Sequence, residues 1–168
     1  MTNISQFIWH VKYVPYAGPV MTEDIERWTP AWMALVRTYA RLWDEVETHM
    51  RAASGLTMAR YDVLMHLDMA GGRLGLTDLA AAVLLSPSGL SKLADRMETS
   101  GLLEREPDPD DARSTFARIS PRGRALVRKA RTRHHEHLQA VFGDVLDGRD
   151  LDDLARIMAR LDARRPVR

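Results

Sequence analysis

Apolar residues recur at helical spacing on both sides of a short break in the middle of the chain. Thr77 is a candidate N-cap for the first segment, and Ser86, with Pro87 at the first helical position, is a candidate N-cap for the second. Gly101 follows the second segment, where glycine commonly ends a helix. The apolar stripes are Leu79, Ala80, Val83 and Leu84 in the first segment and Leu90, Leu93 and Met97 in the second. Two amphipathic helices so close together predict a helix-turn-helix.

A β-hairpin pattern follows these two helices. Residues 102–106 are a strand candidate, residues 107–111 are turn-forming Pro and Asp, and residues 114–119 resume an alternating pattern. Arg73 and Leu74 form a further short strand candidate that is expected to pair with the hairpin. A helix-turn-helix followed by a hairpin is a winged helix, so the predicted fold class is mainly α with a small β-wing.

Amphipathic helices flank the predicted winged helix. The pattern predicts a long helix over residues 30–53, a helix capped by Thr57, and a long helix that opens at Ser120. Gly148 is expected to break that long helix, and Asp150 is expected to cap a last helix. Residues 1–27 form an N-terminal extension, whose aromatic residues argue against a disordered tail and whose Pro and Gly argue against one continuous helix.

Composition narrows the class of protein. The net charge of +1 does not by itself indicate a nucleic-acid partner. The chain has no cysteine, which excludes a disulfide scaffold, a thiol redox switch and a thiolate metal site. No apolar run is long enough to span a membrane and no signal-peptide pattern is present, so a cytoplasmic protein without a membrane partner is expected.

The basic residues are unevenly distributed along the chain. From Arg113 to Arg133 there are eight Lys or Arg residues and no Asp or Glu. One interpretation is a solvated helix face, and the other is a surface that faces DNA phosphates. The position of this stretch after a predicted winged helix favours the second interpretation.

Three segments carry a family resemblance: LSPSGLSKLADRMETSGLLERE, the wing sequence DPDDARSTFARIS, and SPRGRAL at the start of the next helix. They resemble the MarR (multiple antibiotic resistance regulator) family of bacterial transcription factors, and the resemblance covers roughly residues 28–161. The wing contains the Asp111-x-Arg113 pair of that family. Many relatives place a basic residue between these two, whereas this chain has Ala112, so a weaker grip of the wing on DNA is expected.

The resemblance implies a homodimer that binds double-stranded DNA at an inverted repeat. It implies a MarR-like domain over residues 28–168. In that domain the winged helix-turn-helix spans about residues 57–119, and the dimerisation helices span about residues 30–54 and 120–165.

The predicted DNA contacts lie on the recognition helix and the wing. The N-terminal part of a recognition helix faces base edges in the major groove. The candidates there are Ser88, Gly89, Ser91, Lys92 and, one turn further on, Arg96. Arg113 is expected at the wing tip in the minor groove, with Asp111 orienting it. Arg73 and Thr77 are secondary candidates for contacts to the DNA backbone.

Relatives in this family commonly bind small aromatic or phenolic compounds between the dimer helices and the winged helix. Candidates for such a cleft are Trp28, Trp32, Tyr39, Trp43, Tyr61 and His66. An aromatic stripe at helical spacing is more often part of a core, so packing is the competing interpretation. The urate-responsive branch uses a Trp, an Arg and an Asp, and the matching residues here are Trp28, Arg60 and Asp62.

The cluster His134-His135-Glu136-His137 raises the question of a metal site. Two His on one helix face without Cys make a poor zinc site, and a place in a dimer interface is the favoured interpretation. No metal or cofactor is expected. The sequence has no nucleophile elbow, no His-Glu-x-x-His and no dinucleotide loop, so an enzyme is not expected.

These observations predict a homodimeric, sequence-specific transcriptional regulator, a repressor released by a small phenolic or aromatic ligand. The alternative is a winged-helix module that binds protein and not DNA. Steep salt dependence of DNA binding would separate the two, because phosphate contacts release counterions.

Overall fold

A computed structural model describes residues 23–83, 85–108 and 114–163, with side chains from residue 28 onward. The elements are α1 (Glu23–Ser54), α2 (Met58–Met69), β1 (Arg73–Gly75), α3 (Leu76–Ala82), α4 (Pro87–Thr99), β2 (Leu103–Pro107), β3 (Thr115–Ile119), α5 (Pro121–Leu138), a π-helical turn (Gln139–Gly143) and α6 (Gly148–Asp162). The chain divides into two compact units, Met1–Thr48 and His49–Arg168, with the boundary inside α1. The predicted domain boundary at residue 28 is a different division and stays a prediction.

The first unit consists, in its described part, of α1 up to Thr48. Tyr39 and Trp43 stack one turn apart with ring centroids 6.0 Å from each other, and both rings are largely exposed. The helix begins at Glu23 and runs through Pro30, so the predicted start at residue 30 is wrong. Proline removes one backbone donor, and here the helix continues past it.

A three-stranded antiparallel sheet lies in the second unit, with strand order β1-β3-β2. Leu74 and Arg105 pair with Ala117 from opposite sides, which places β3 at the centre. The predicted hairpin and its pairing with the short strand at Arg73 are therefore confirmed, with strand boundaries one residue from the predicted ones. The mainly α fold class with a small β-wing is also confirmed.

The core of the second unit lies between the helix-turn-helix and the sheet. Helices α2, α3 and α4 and strands β2 and β3 each contribute fully buried apolar side chains, and α5 adds Val127 and Ala130. The largest of these side chains are Met50, Leu56, Leu64, Leu67, Leu79, Leu90, Met97 and Leu103. The apolar stripes predicted from spacing supply this core, because burying them is the main favourable term in folding.

Side-chain caps set the starts of three helices as predicted. Thr57, Ser86 and Ser120 each accept a hydrogen bond from the backbone N–H three residues later. Gly101 ends α4 with φ +66°, where glycine avoids strain. The Leu102 N–H donates to the Met97 carbonyl, and the Gly101 N–H donates to the Glu98 carbonyl, which together form a Schellman motif.

Two predicted caps are wrong. Thr77 is the second residue of α3 and not its cap, because Gly75 leaves β1 in an extended conformation and the helix starts directly after it. Asp147, not Asp150, caps α6, and Gly148 is the first helical residue. The Asp147 side chain accepts from the backbone of Asp150, whose own side chain accepts from the Asp147 N–H, so the two acidic residues form a capping box.

Asp68 joins α2 to α5. Its two carboxylate oxygens accept hydrogen bonds from Arg124 Nη1 at 2.8 Å and Arg131 Nη2 at 2.9 Å. The Asp68 side chain is mostly buried, so these charge-assisted bonds are shielded from water. No helix in the described residues is long and apolar enough to cross a membrane.

Candidate nucleic-acid interface

Helix α4 separates apolar from polar side chains by face. Leu90, Leu93, Ala94 and Met97 form the inner face and are at most 4% exposed. The outer face exposes four of the predicted contact residues, namely Ser88, Ser91, Lys92 and Arg96. Because the inner face is fixed in the core, the outer face is held in a defined orientation.

The N-terminal turn of α4 is built from small residues. The Gly89 N–H donates to Ser86 Oγ at 3.1 Å, and Ser88 Oγ lies 3.3 Å from the same oxygen. A Cβ atom at position 89 would lie 3.0 Å from Ser86 Oγ, so a larger residue would press on the cap. This turn therefore allows close approach to its exposed surface.

Two cations on the outer face of α4 are available to a partner. Among the described residues, no ion pair is formed by Lys92 or Arg96. Asp95 and Glu98 lie on the same helix and carry the opposite charge. Both carboxylates form ion pairs with a residue outside the helix, Arg105 of β2.

Arg105 binds α4 through its side chain and its backbone. Nε and Nη2 lie 2.7 and 2.6 Å from Glu98 Oε2, the backbone N–H donates to Glu98 Oε1 at 3.0 Å, and Nη1 pairs with Asp95. Hydrogen bonds from Arg105 lower the pKa of Glu98, and the same bonds raise the pKa of Arg105. The wing strand is thereby fixed to the recognition helix, and the outer surface keeps a net positive charge.

Arg105 and its two acidic partners were not predicted from the sequence. Glu98 and Arg105 are seven residues apart with a helix end between them, so no periodic signal links them. The one clue in the sequence is that Arg105 occupies an outward-facing strand position shortly after Asp95 and Glu98 of the preceding helix.

The two secondary candidates differ in their contacts. Arg73 lies with its guanidinium carbon 3.5 Å from the centre of the Phe116 ring and its Nε 3.5 Å from Glu106. Arg118 of β3 also pairs with Glu106, which therefore binds one basic residue from each of the other two strands. Thr77 is exposed in the first turn of α3.

The wing residues Asp111 and Arg113 lie outside the described residues. At the base of the wing, the Asp108 N–H donates to the Ser114 carbonyl at 3.0 Å, which continues the pairing of β2 with β3. The predicted roles of Arg113 in the minor groove and of Asp111 as its support remain predictions.

Comparisons with known proteins identify the family. The family model of the MarR family matches residues 54–114, which contain the helix-turn-helix and much of the wing. AbsC of Streptomyces coelicolor, a MarR family transcriptional regulator, is 29% identical with a TM-score of 0.75, and the match covers 88% of this chain and all of that chain. The chain belongs to the MarR family.

Two further proteins are similar to this chain, the second of them in its fold. YkoM of Bacillus subtilis strain 168, an uncharacterized HTH-type transcriptional regulator, is 28% identical over 71% of this chain and 77% of its own length. Sco3205 of Streptomyces coelicolor, a MarR family regulator solved in complex with DNA, is 23% identical with a TM-score of 0.78, covering 86% of this chain and 90% of that chain. As a MarR family member, this protein is a DNA-binding transcriptional regulator and not an enzyme.

The predicted ligand residues of this MarR protein fall into both units. Trp28, Trp32 and Tyr39 lie on α1 in the first unit, and each is about half exposed. Asp62 and His66 lie one turn apart on α2 in the second unit and are in contact, with His66 Nδ1 2.9 Å from the Asp62 carbonyl and 3.3 Å from Asp62 Oδ1. Burial raises the pKa of Asp62, an effect that His66 partly offsets.

The histidines of α5 pack with α1 and α2. His137 stacks on His49 with ring centroids 4.2 Å apart, and His134 lies 5.1 Å from Tyr61, another of the predicted cleft residues. Burial lowers the pKa of His134, and neighbouring histidines add to the effect. Within the described part of the chain, no three His, Asp or Glu side chains are arranged to hold a metal ion.

Part of the basic stretch from Arg113 to Arg133 is engaged with acidic residues. Four of its arginines form ion pairs: Arg118 with Glu106, Arg124 and Arg131 with Asp68, and Arg133 with Glu136. All four contacts are ion pairs within the chain. The interpretation of the stretch as one phosphate-facing surface is therefore not supported for those four residues.

Proposed function

We propose that this MarR protein is a cytoplasmic, homodimeric repressor that binds an inverted-repeat operator and is released by a small aromatic or phenolic ligand. The observation that carries the proposal is the polarity of α4. Its inner face is buried, and its outer face presents small polar and cationic side chains. The two acidic residues of the helix, Asp95 and Glu98, are both paired with Arg105. A helix of this kind suits the major groove, which admits one α-helix.

The residues of α4 have distinct roles in the proposal. Ser88, Gly89 and Ser91 allow the helix N-terminus to approach base edges, and the two hydroxyls are able to bond bases or phosphates. Lys92 and Arg96 contact phosphates or base edges further along the groove. Because both cations lack an ion-pair partner among the described residues, DNA binding does not require an ion pair within those residues to be broken at either cation.

The wing supplies a second contact in the proposal. Arg113 enters the minor groove, whose negative potential attracts guanidinium groups, and Asp111 orients it. The clamp of Arg105 on α4 supports this arrangement, because it holds the wing strand at a fixed distance from the recognition helix. Arg73 and Thr77 are proposed to reach the DNA backbone on the flank of the helix.

The dimer supplies the inverted-repeat geometry. Helix α6 exposes Leu151, Ile157, Met158 and Leu161 on one face, and α1 exposes aromatic residues. We propose that these faces, with the region of α5, form the interface between two subunits. Two recognition helices related by a two-fold axis would then enter major grooves about one helical turn apart.

Release of DNA by a ligand follows from thermodynamic linkage. A ligand that binds better to a conformation with displaced recognition helices lowers the affinity for DNA, and DNA lowers the affinity for ligand by the same factor. Trp28, Trp32, Tyr39, Arg60, Asp62 and His66 are the residues proposed to surround such a ligand.

The first test is binding of the full chain to labelled intergenic DNA beside its own gene, measured by fluorescence anisotropy at several salt concentrations. Lys92→Gln and Arg96→Gln should each weaken binding and reduce the magnitude of the salt slope by about two, because each substitution is present in both subunits of the proposed dimer. Arg149→Gln is the matched control, because this exposed cation belongs to a different helix, α6, and it should change neither quantity. A flat salt dependence of the wild type would contradict the proposal and favour a protein-binding module.

A further inference from the structure

The three-stranded sheet of the wing has two faces with different surroundings. Arg105 and Ala117 form a cross-strand pair on the face that is directed to α4 and the core, where Ala117 is fully buried. Side chains alternate between the faces of a sheet, so the next pair, Glu106 and Phe116, lies on the opposite face. Arg73 and Arg118 contact Glu106 there.

Arg73 is held from two directions on this face. Its guanidinium carbon lies 3.5 Å from the centre of the Phe116 ring, and its Nε lies 3.5 Å from a carboxylate oxygen of Glu106. The ring attracts the cation through its quadrupole, and the carboxylate restricts rotation of the planar guanidinium. The two terminal Nη atoms form no hydrogen bond with a described residue, so these donors are available to a partner.

Glu106 differs from the other acidic residue of the same strand. The Glu106 side chain is 27% exposed and is fixed by two arginines, Arg73 and Arg118. Glu104 precedes it by two residues, which places it on the same face of the sheet. Glu104 is exposed and forms no ion pair among the described residues. A role in orienting an arginine therefore belongs to Glu106 alone of these two.

The stacked guanidinium lies where the wing meets the helix-turn-helix. Phe116 is the second residue of β3, directly after the base of the wing, and its pairing partner Gly75 is the residue before α3. In the proposed complex α4 occupies the major groove and the wing tip enters the minor groove. The phosphate backbone that borders these grooves then passes this end of the sheet.

We infer that Arg73 donates to a backbone phosphate through its terminal Nη atoms, and that Glu106 and Phe116 are positioning residues that hold it ready for this contact. This role rests on the proposed function and makes the backbone contact of Arg73 specific. An arginine that is already held in place loses less side-chain freedom on binding. By charge alone, Glu106 would repel phosphates, so the positioning role and simple repulsion predict opposite effects of its removal.

The decisive substitution is Glu106→Gln, tested by fluorescence anisotropy with the full chain and the intergenic DNA beside its own gene. It should weaken binding by about threefold to tenfold, because the guanidinium of Arg73 loses its charged partner, whereas relief of repulsion would strengthen binding. Glu104→Gln is the matched control. It removes a carboxylate from the same strand and face that holds no described arginine, and it should not weaken binding.

Arg73→Gln should weaken binding and reduce the magnitude of the salt slope by about two, one phosphate for each subunit of the proposed dimer. The slope compares affinities at different salt concentrations and does not depend on the fraction of folded protein, so a merely structural effect would leave it unchanged. Glu106→Gln added to Arg73→Gln should cause no further loss, because Glu106 acts through Arg73.

Nuclear magnetic resonance of the free protein tests the stacking without DNA. The Hε proton of Arg73 should be shifted upfield by the ring current of Phe116, and Phe116→Leu should abolish this shift and weaken DNA binding. An ordinary Hε position in the wild type would overturn the stacking.

The DNA measurements separate this role from the proposed function. If the wild type binds DNA, binding of Glu106→Gln that equals or exceeds that of the wild type would overturn the positioning role, and an unchanged salt slope in Arg73→Gln would overturn the phosphate contact. The proposed function stands in both cases. A wild type without salt-dependent DNA binding would overturn the proposed function and the phosphate contact together.

Discussion

At the residue scale, the recognition surface depends on Arg105, although this side chain does not contact DNA in the proposed complex. It forms ion pairs with Asp95 and Glu98, two carboxylates on the helix that is proposed to enter the groove. Without it, those carboxylates would face phosphates and repel them. The role differs from ordinary surface pairing, because the same residue also anchors β2 to α4 through its backbone N–H.

We predict that Arg105→Met weakens DNA binding by roughly threefold to tenfold, since unpaired carboxylates at a DNA interface are repulsive. Stability should change by no more than about 1 kcal/mol, because the pair is partly exposed. Operator affinity by anisotropy and unfolding in urea measure the two effects. Adding Glu98→Gln to the variant should restore part of the affinity, and no restoration would show that charge at Glu98 is not the cause.

Gly123 is a second residue whose identity is set by one contact. A Cβ atom at this position would overlap the carbonyl oxygen of Leu102 and lie 3.1 Å from Ile119 Cγ1. The clash is with backbone, which cannot move aside as a flexible side chain does. The α5 helix therefore approaches the α4–β2 connection closely only because residue 123 is glycine.

Gly123→Ala should lower the free energy of unfolding by about 1–3 kcal/mol, the usual range for overpacking in a core. Gly148→Ala is the matched control, because nothing lies within 4 Å of a Cβ atom there and the position is helical. That substitution should be neutral or stabilising. Equal effects of the two substitutions, measured by urea unfolding, would contradict the role given to Gly123.

At the element scale, α5 packs on the end of α1 and on α2 through titratable rings. His134 faces Tyr61 of α2. The charged or titratable side chains around this pair of rings include His49, Arg131, His135 and His137. Among the described residues, the buried His134 Nδ1 has no hydrogen-bond partner. Protonation of this ring would bring charge into a partly desolvated contact between helices.

The pH dependence of stability follows from that burial. The pKa of His134 is lowered from its ordinary value of 6.5, so the unfolded chain binds the proton more tightly than the folded chain. The contribution of this group is complete above about pH 7, and it is lost as the pH falls below the unfolded pKa and through the lower folded pKa.

We predict that His134→Phe, which keeps a ring against Tyr61, reduces the loss of stability between about pH 7.5 and about pH 5. Urea unfolding across this range measures it. The exposed neighbour provides the comparison: His135→Gln should retain most of the loss, because burial of His134, the largest cause of its lowered pKa, is unchanged. Parallel profiles for the wild type and His134→Phe would refute the assignment.

The elements themselves could be predicted because their signals are local. Thr57, Ser86 and Ser120 cap their helices through contacts three residues away, and the apolar stripes need only the helical period. The errors at Thr77 and Asp150 have the same origin. Each lies within three residues of the true helix start, and the sequence offers two acceptable starts there.

The contacts that organise the site could not be predicted in this way. Asp68 meets Arg124 and Arg131 across 56 and 63 residues, and no pattern in the sequence distinguishes these arginines from Arg122 or Lys129. The prediction therefore treated the basic stretch as one surface. The exposed residues of α4 were predictable because burial of Leu90, Leu93 and Met97 fixes which side chains point outward.

At the scale of the whole molecule, large apolar side chains remain exposed in both units. Trp28 and Trp32 on α1 are 56% and 57% exposed, and Leu161 on α6 is 54% exposed. Contiguous apolar patches are uncommon on monomeric proteins and usually indicate an interaction surface. The described part of α6 has no fully buried residue, although it is strongly amphipathic. A helix of this kind requires a partner to cover its apolar face.

We predict that Ile157→Glu on α6 dissociates the proposed dimer, because a carboxylate in an apolar interface is costly unless it is paired. Sedimentation equilibrium should show a dimerisation constant weakened at least about a hundredfold. Operator affinity should fall with it, since one subunit presents one recognition helix to one half-site. Arg149→Glu also adds a carboxylate to α6 but lies on its polar face, so it should remain dimeric and bind DNA. A dimeric Ile157→Glu variant would remove α6 from the interface and leave the aromatic face of α1 as the next surface to test.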